Sequence, residues 1–302
     1  MSKEMNMDLS KELSQNDIPS NKPLETQAPI TWCPGCGNFE ILHSLMDVLK
    51  ELQTEGLDLD KVVILSGVGN HAKIVDYIDV NSFNTIHGRA IPPATAIKLA
   101  DPETKVICFV GDGDSYAEGL EHLLFAAKRN VDITVVVHDN RTYGLATGQF
   151  TPTSQEDFKG GTMPDGAKEG PFNPLSLMLS AGATFIARGY PVKKQHFRKV
   201  LKDAILHRGF SIVDTLQVCV TFNNLYKAYN EHVVEADSPD LGNPVEAMKI
   251  FDAWDYESTD VPIAVGTFYQ VQKPCFEDKY APFKPETGDR TALIKELLER
   301  LT

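Results

Sequence analysis

Two acids and an amide stand where a hard cation could be held. Gly111-Asp112-Gly113-Asp114 closes the apolar run KVICFV, and Asn140 follows Asp112 by 28 positions, at the close of DITVVVHD. Oxygen donors of this kind suit Mg²⁺, which keeps part of its octahedral shell for water and substrate phosphates. The glycines let backbone N–H groups approach an anion closely, and a helix starting near Ser115 would add the positive end of its dipole. A diphosphate is the ligand this arrangement suits. The plain alternative is a pair of tight turns with solvated acids, and the asparagine at this spacing argues against it.

A second group is Cys33-Pro34-Gly35-Cys36. A CxxC serves zinc half-sites, redox pairs and iron–sulfur half-sites alike. The residues before it form a polar, proline-containing arm rather than a strand, which argues against a thioredoxin-like pair. Five cysteines at irregular spacing in 302 residues argue against a disulfide framework. Cys108, inside KVICFV, reads as a core residue, and Cys275 has no evident task.

The elements that must position these groups follow an α/β pattern, with a mostly parallel sheet and helices on both faces. KVVILSG, KVICFVG, DITVVVHD, TFIARG and SIVDTLQ are the strand candidates. Between the second and third, Ala117, Leu120, Leu123, Leu124 and Ala127 recur at helical spacing. The resulting βαβ unit, Lys105 to His138, brings the carboxyl ends of both strands together, where open α/β sheets bind ligands. Residues 140–174 read as a long loop rich in Gly, Thr, Ser and Pro. Residues 193–207 and the terminal TALIKELLERL read as helices. Residues 1–24 form a polar arm and 25–302 one domain with a C-terminal extension.

Composition narrows the function classes. A formal charge of −13 opposes binding to nucleic acid or to an anionic membrane surface. No apolar run approaches the ~18 residues of a membrane span, and the N-terminus lacks the apolar core of a secretory signal, so a cytoplasmic location is expected.

VGDGDSYAEGLEHLLFAAKRNVDITVVVHDNRTYGLATGQFTPTS resembles the thiamine-diphosphate motif of the β subunits of 2-oxoacid:ferredoxin oxidoreductases. TWCPGCGNFEIL, HGRA and CVTFN resemble the same family in the same order. The likeness spans about Thr31 to Asn223, with a weaker stretch from Pro262 to Phe276. It implies a thiamine-diphosphate-binding fold in which Asp112, Asn140 and the Thr142 carbonyl hold Mg²⁺. It assigns Gly111, Gly113, Asp114, Gly144 and Leu145 to the cofactor site, Leu145 as pocket wall, and places His87 beside the cofactor. The second, pyrimidine-binding domain, whose carboxylate activates the cofactor, is expected on a partner α subunit. Ferredoxin, a 2-oxoacid and coenzyme A complete the implied partners.

In the resembled family a [4Fe–4S] cluster takes two cysteines from the CxxC, a third from the loop after the first strand and a fourth just before TFN. Cys33, Cys36 and Cys219 match, but Asn70 stands at the third position. Three outcomes stay open: a four-iron cluster completed by His71 or another group, a three-iron form, or no stable cluster. Lys73 is expected to face the 2-oxoacid, where a cation favours a second carboxylate and hence 2-oxoglutarate over pyruvate. Two further readings compete: a non-oxidative thiamine enzyme without a cluster, and a non-enzymatic zinc-binding protein.

Overall fold

The computed structural model describes residues 24–280 and 291–300. Among them eight strands form one sheet: β1 Val62–Ser66, β2 Asn81–Asn84, β3 Lys105–Gly111, β4 Thr134–Asp139, β5 Phe185–Gly189, β6 Ser211–Leu216, β7 Val233–Glu235 and β8 Ile263–Gln270. Their order is β2-β1-β3-β4-β6-β5-β8-β7, and every neighbouring pair is parallel except β5 with β8. All five strands expected from the β-branched runs are present. β4, β5 and β6 are buried along their whole length, as strands covered on both faces must be.

The α-helices of the described residues are α1 Asn38–Thr54, α2 Ile74–Tyr77, α3 Ile91–Ala100, α4 Leu120–Arg129 and α5 Pro174–Ala181. They continue with α6 Lys194–Leu206, α7 Tyr226–His232, α8 Pro244–Asp252 and α9 Thr291–Glu299. Alternate strand residues choose the faces. Val136 and Val213 meet Leu45, Leu49, Phe197 and Leu201 in the core under α1 and α6. Val135, Val137 and Ile212 meet Ala94, Leu123, Met178 and Phe251 in the core under α3, α4, α5 and α8. α1 buries Ile41, Leu42, Leu45, Met46, Val48, Leu49 and Leu52 at i, i+3, i+4 spacing, each contributing roughly 1.5–3 kcal/mol. That packing holds the CxxC, immediately before α1, against the sheet.

One local expectation is corrected. The chain does not enter an α-helix at Ser115: Asp114–Glu118 form a wider π turn, and α4 begins at Leu120 after Gly119. Gly119 lies where a Cβ would come within 2.8 Å of the Asp114 carbonyl, so the turn is closed by backbone packing that apolar spacing does not report. The arm expected over residues 1–24 lies outside the described residues except for Leu24, which is buried and accepts a 2.7 Å hydrogen bond from the Asp79 N–H. No helix of the described residues is long and apolar enough to cross a membrane.

Candidate active site

A cavity of about 340 Å³ opens at the carboxyl ends of β1, β3, β4 and β6. Its lining brings together Asp112, Gly113, Asp114, Asn140, Thr142, Gly144 and Leu145 with His87, His71, Asn70, Cys36 and Cys219. Residues scattered over nearly two hundred positions thus share one wall, because parallel strands deliver all their carboxyl ends to one edge of the sheet.

Asp112 is almost fully buried. Its Oδ2 accepts hydrogen bonds from the hydroxyls of Thr151 (2.6 Å) and Thr153 (3.2 Å). Burial pushes the carboxyl up to about 6; the opposing influences are hydrogen bonds from Thr151, Gly113 and Thr153, with no cation among them. A divalent cation is what such a carboxylate lacks. Asn140 turns its Oδ1 to the Thr142 N–H (3.1 Å) and keeps a second lone pair. Together with the Thr142 carbonyl these are hard oxygen donors on one cavity wall, so the residues fit a Mg²⁺ ion that shares a diphosphate.

The Asp114 side chain, on the same cavity wall, is engaged within the chain. Its Oδ1 accepts from the Gly88 N–H (2.7 Å) and lies 3.1 Å from His87 Nδ1, so the carboxylate ties the His-Gly-Arg loop to the sheet. Gly67 is the glycine this needs, since a Cβ there would fall 1.6 Å from Asp114 Oδ2. Gly111 likewise serves a neighbour: it is absent from the cavity wall, and a Cβ on it would come within 2.9 Å of the His71 ring. Gly113 does line the wall, and a Cβ on it would fall 2.1 Å from the Tyr143 ring. Tyr143 in turn donates to Glu118, and Leu145 is largely exposed.

The loop after β1 separates the two residues considered for the fourth cluster position. The Asn70 amide and Cys219 Sγ both pack against Gly144, at 3.5 and 3.8 Å from where its Cβ would be. His71 turns the other way, with Nε2 3.8 Å from Asp114 Oδ2. Its burial, with His87 nearby, pulls the imidazole down to about 3, so it is neutral at physiological pH. The Asn70 amide, not the His71 ring, therefore stands beside Cys219.

All five cysteines are free. Burial pushes the Cys36 thiol up to about 11, opposed by the Asn38 backbone and reinforced by Cys219 and Cys33. No three His, Cys, Asp or Glu side chains among the described residues converge as a single-ion site. A cubane makes a different demand, one thiolate for each iron; Cys36 and Cys219 line the cavity and Cys33 is exposed beyond it. Cys108 is core, as expected. Cys275 is buried in the C-terminal segment, its N–H bonded to Asp278.

Lys73 does not line the cavity. The short helical turn after Asn70 runs straight into α2, which sets Lys73 three residues before Asp76, with Nζ 3.3 Å from its carboxylate.

Sequence reading missed Gln217. It accepts from Asn140 Nδ2 (2.7 Å) and donates to Cys36 Sγ (3.5 Å), linking the oxygen-donor and sulfur-donor ends of the cavity. A lone glutamine after a strand carries no signal by type.

A parallel sheet that offers an acid and an amide from adjacent strand ends, beside a glycine turn, is an arrangement that suits a phosphate-bearing ligand. Residues 67–215 match the family described as thiamine pyrophosphate enzyme, C-terminal TPP binding domain. Residues 219–285 match the family that describes the C-terminal part of the pyruvate ferredoxin oxidoreductase beta chain. A 2-oxoacid:ferredoxin oxidoreductase subunit beta from Aeropyrum pernix is 37% identical over 264 residues, covering 84% of this chain and 82% of that one. A 2-oxoglutarate synthase subunit KorB from Archaeoglobus fulgidus is 40% identical over 200 residues, covering 66% and 73%. The structure of a 2-oxoglutarate:ferredoxin oxidoreductase from Magnetococcus marinus, with 2-oxoglutarate, coenzyme A and succinyl-CoA bound, superimposes with a TM-score of 0.81 at 31% identity, over 93% of this chain and 97% of that one. The chain belongs to the beta subunits of the 2-oxoacid:ferredoxin oxidoreductases, a family of enzymes, which sets aside the zinc-binding, non-enzymatic reading.

Proposed function

We propose that this chain is the diphosphate-binding subunit of an enzyme that converts a 2-oxoacid and coenzyme A to acyl-CoA and CO₂, passing two electrons to ferredoxin. 2-Oxoglutarate is the preferred substrate in this reading, and a cytoplasmic α subunit supplies the pyrimidine-binding domain. The observation that carries it is the single cavity wall that joins Asp112 and Asn140 to Cys36 and Cys219.

Thiamine diphosphate, when bound, supplies the carbon nucleophile and electron sink that cleave the 2-oxoacid. This chain's part is to hold it. Asp112, Asn140 and the Thr142 carbonyl would take the cation, and His87, half-exposed on the cavity wall, would offer an N–H to anionic oxygen. Cys33, Cys36 and Cys219 would hold an iron–sulfur cluster, in four-iron or three-iron form, as the outlet for electrons. Lys73, next to the loop that lines the cavity, would attract a second substrate carboxylate, in competition with Asp76. The relatives named for 2-oxoglutarate support that substrate class.

Strictly anaerobic co-purification with the α subunit, with thiamine, iron and sulfide assayed together, tests the reading. Thiamine, iron and sulfide in one active complex is the expected result, as is loss of Mg²⁺-dependent thiamine diphosphate binding in Asn140→Ala. Activity of the chain alone, at the rate of the complex, refutes the shared site. Asn70 favours a second reading, a non-oxidative thiamine enzyme. A colourless complex containing thiamine but no iron selects it.

A further inference from the structure

The long loop after β4 contributes Thr151-Pro152-Thr153-Ser154, and these residues lie beneath the cation site rather than beside it. All three hydroxyl-bearing residues are buried. Thr153 touches both segments that carry the proposed metal ligands. Its hydroxyl lies 2.7 Å from Asp139 Oδ1 and 3.2 Å from Asp112 Oδ2, and its carbonyl accepts from Arg141 Nε at 2.7 Å. Thr151 adds the 2.6 Å bond to the same Asp112 oxygen. Ser154 donates to the Arg141 carbonyl (2.6 Å) and accepts from the Thr151 N–H (2.8 Å).

Arg141 is the strained residue of the site. It stands between Asn140 and Thr142 with φ at +61°, in the left-handed region that a non-glycine residue adopts at a cost of about 1–3 kcal/mol. That conformation turns the chain between Asn140 and Thr142. The guanidinium is buried and is held by the Thr153 and Tyr256 carbonyls, while the Arg141 N–H donates to Asp139 Oδ1 at 3.2 Å. The loop thus braces the bend at its side chain and its carbonyl, while its N–H is held by Asp139, which Thr153 also bonds.

We propose that Thr151–Ser154 is the positioning element of the cation site: Thr151 and Thr153 fix which oxygen of Asp112 faces the cavity, and Thr153 and Ser154 hold Arg141 in the bend that presents Asn140 and Thr142. The proposal rests on the reading of Asp112, Asn140 and Thr142 as Mg²⁺ ligands. Mg²⁺ demands near-ideal octahedral geometry, whereas Ca²⁺ accepts irregular shells, so displaced ligands weaken the two ions unequally.

The test uses the complex with its α subunit, titrated with Mg²⁺ or Ca²⁺ in the presence of thiamine diphosphate and followed by calorimetry. Thr153→Val is expected to weaken Mg²⁺ binding by roughly 10–100-fold, as loss of an outer hydrogen bond to a metal ligand does, and Ca²⁺ binding by less. Thr153→Ser, which keeps the hydroxyl, is expected to restore wild-type Mg²⁺ affinity. If Thr153→Val fails to assemble, Thr151→Val is measured in the same way, with the same expectation of a Mg²⁺-selective loss. Unchanged Mg²⁺ affinity, or an equal loss for both ions, overturns the positioning role. A wild-type complex that takes up thiamine diphosphate without regard to Mg²⁺ instead overturns the reading of the ligands on which the proposal stands.

Discussion

Asp112→Asn should make the metal-free chain more stable while destroying its metal site. The carboxylate is buried and has no cation beside it, and its pKa rises from 3.8 to about 6. At pH 7.5 that shift corresponds to roughly 3 kcal/mol of unfavourable burial, on an order-of-magnitude basis. An asparagine carries no such charge, and its carbonyl can accept the same two hydroxyl protons from Thr151 and Thr153. For a chain of 302 residues, at about 2.1 cal/mol/K of unfolding entropy per residue, roughly 3 kcal/mol raises the melting temperature by about 5 °C. The pH dependence has a definite sign. Because the folded-state pKa is raised, the wild type is destabilised by this group as pH climbs through about 6, and the penalty disappears below the unfolded value of 3.8. The advantage of the variant should therefore be full at pH 7.5 and gone near pH 4. Mg²⁺ with thiamine diphosphate should reverse the order, since ligand binding stabilises the wild type and leaves the variant where it was. Thermal unfolding with and without both ligands measures all of this. A variant that melts at or below the wild type in metal-free buffer at pH 7.5 would show that burial of Asp112 is already compensated within the chain.

Arg188→Met should destabilise the chain by about 3–5 kcal/mol, because it strands the fully buried Asp214, 3.6 Å from the Arg188 guanidinium; urea unfolding measures it, and a change below about 1 kcal/mol would refute it. Asn70→Cys, reconstituted anaerobically with iron and sulfide, should give a four-iron cluster that survives mild oxidation. The wild type should lose one iron under the same treatment and show a three-iron signal in electron paramagnetic resonance; identical spectra would sink this account of the fourth corner. Lys73→Ala should lower the ratio of kcat/KM for 2-oxoglutarate over pyruvate by about tenfold, the equivalent of one charge-assisted contact, and a ratio that holds steady returns Lys73 to its partnership with Asp76.

What the sequence disclosed depended on whether the physics was local. Runs such as VVVH announce a buried parallel strand because each residue must be apolar and β-branched, and five strands were legible for that reason. β2, with sequence NSFN, was not: it is a four-residue edge strand exposed throughout, and nothing in its composition separates it from a loop. The site divided along the same line. That Asp112 and Asn140 share one cavity wall was readable because strand ends fix their spacing. The tie of Asp114 to the His-Gly-Arg loop was hidden, because its partner, the Gly88 N–H, comes from 26 residues earlier and is brought near only by the fold. Gln217, Thr151 and Thr153 act through hydrogen bonds across the sheet edge, and residue type alone does not report such bonds. The comparison of Asn70 with His71 needed the direction of one turn, which the backbone alone supplies.

The raised pKa of Cys36 bears on how the proposed cluster site would survive before iron reaches it. Only the thiolate attacks a disulfide or reacts readily with peroxide, and a thiol pushed up to about 11 is ionised at pH 7.5 in only about one molecule in three thousand. Cys33, its exposed neighbour in the CxxC, thus faces a partner that is chemically quiet. In the proposed reading, a newly made chain would wait for iron without sealing the pair in a disulfide, and the burial that silences Cys36 would yield once iron displaced its proton. Desolvation would then act as a temporary protecting group, one that the proposed cluster's own iron removes.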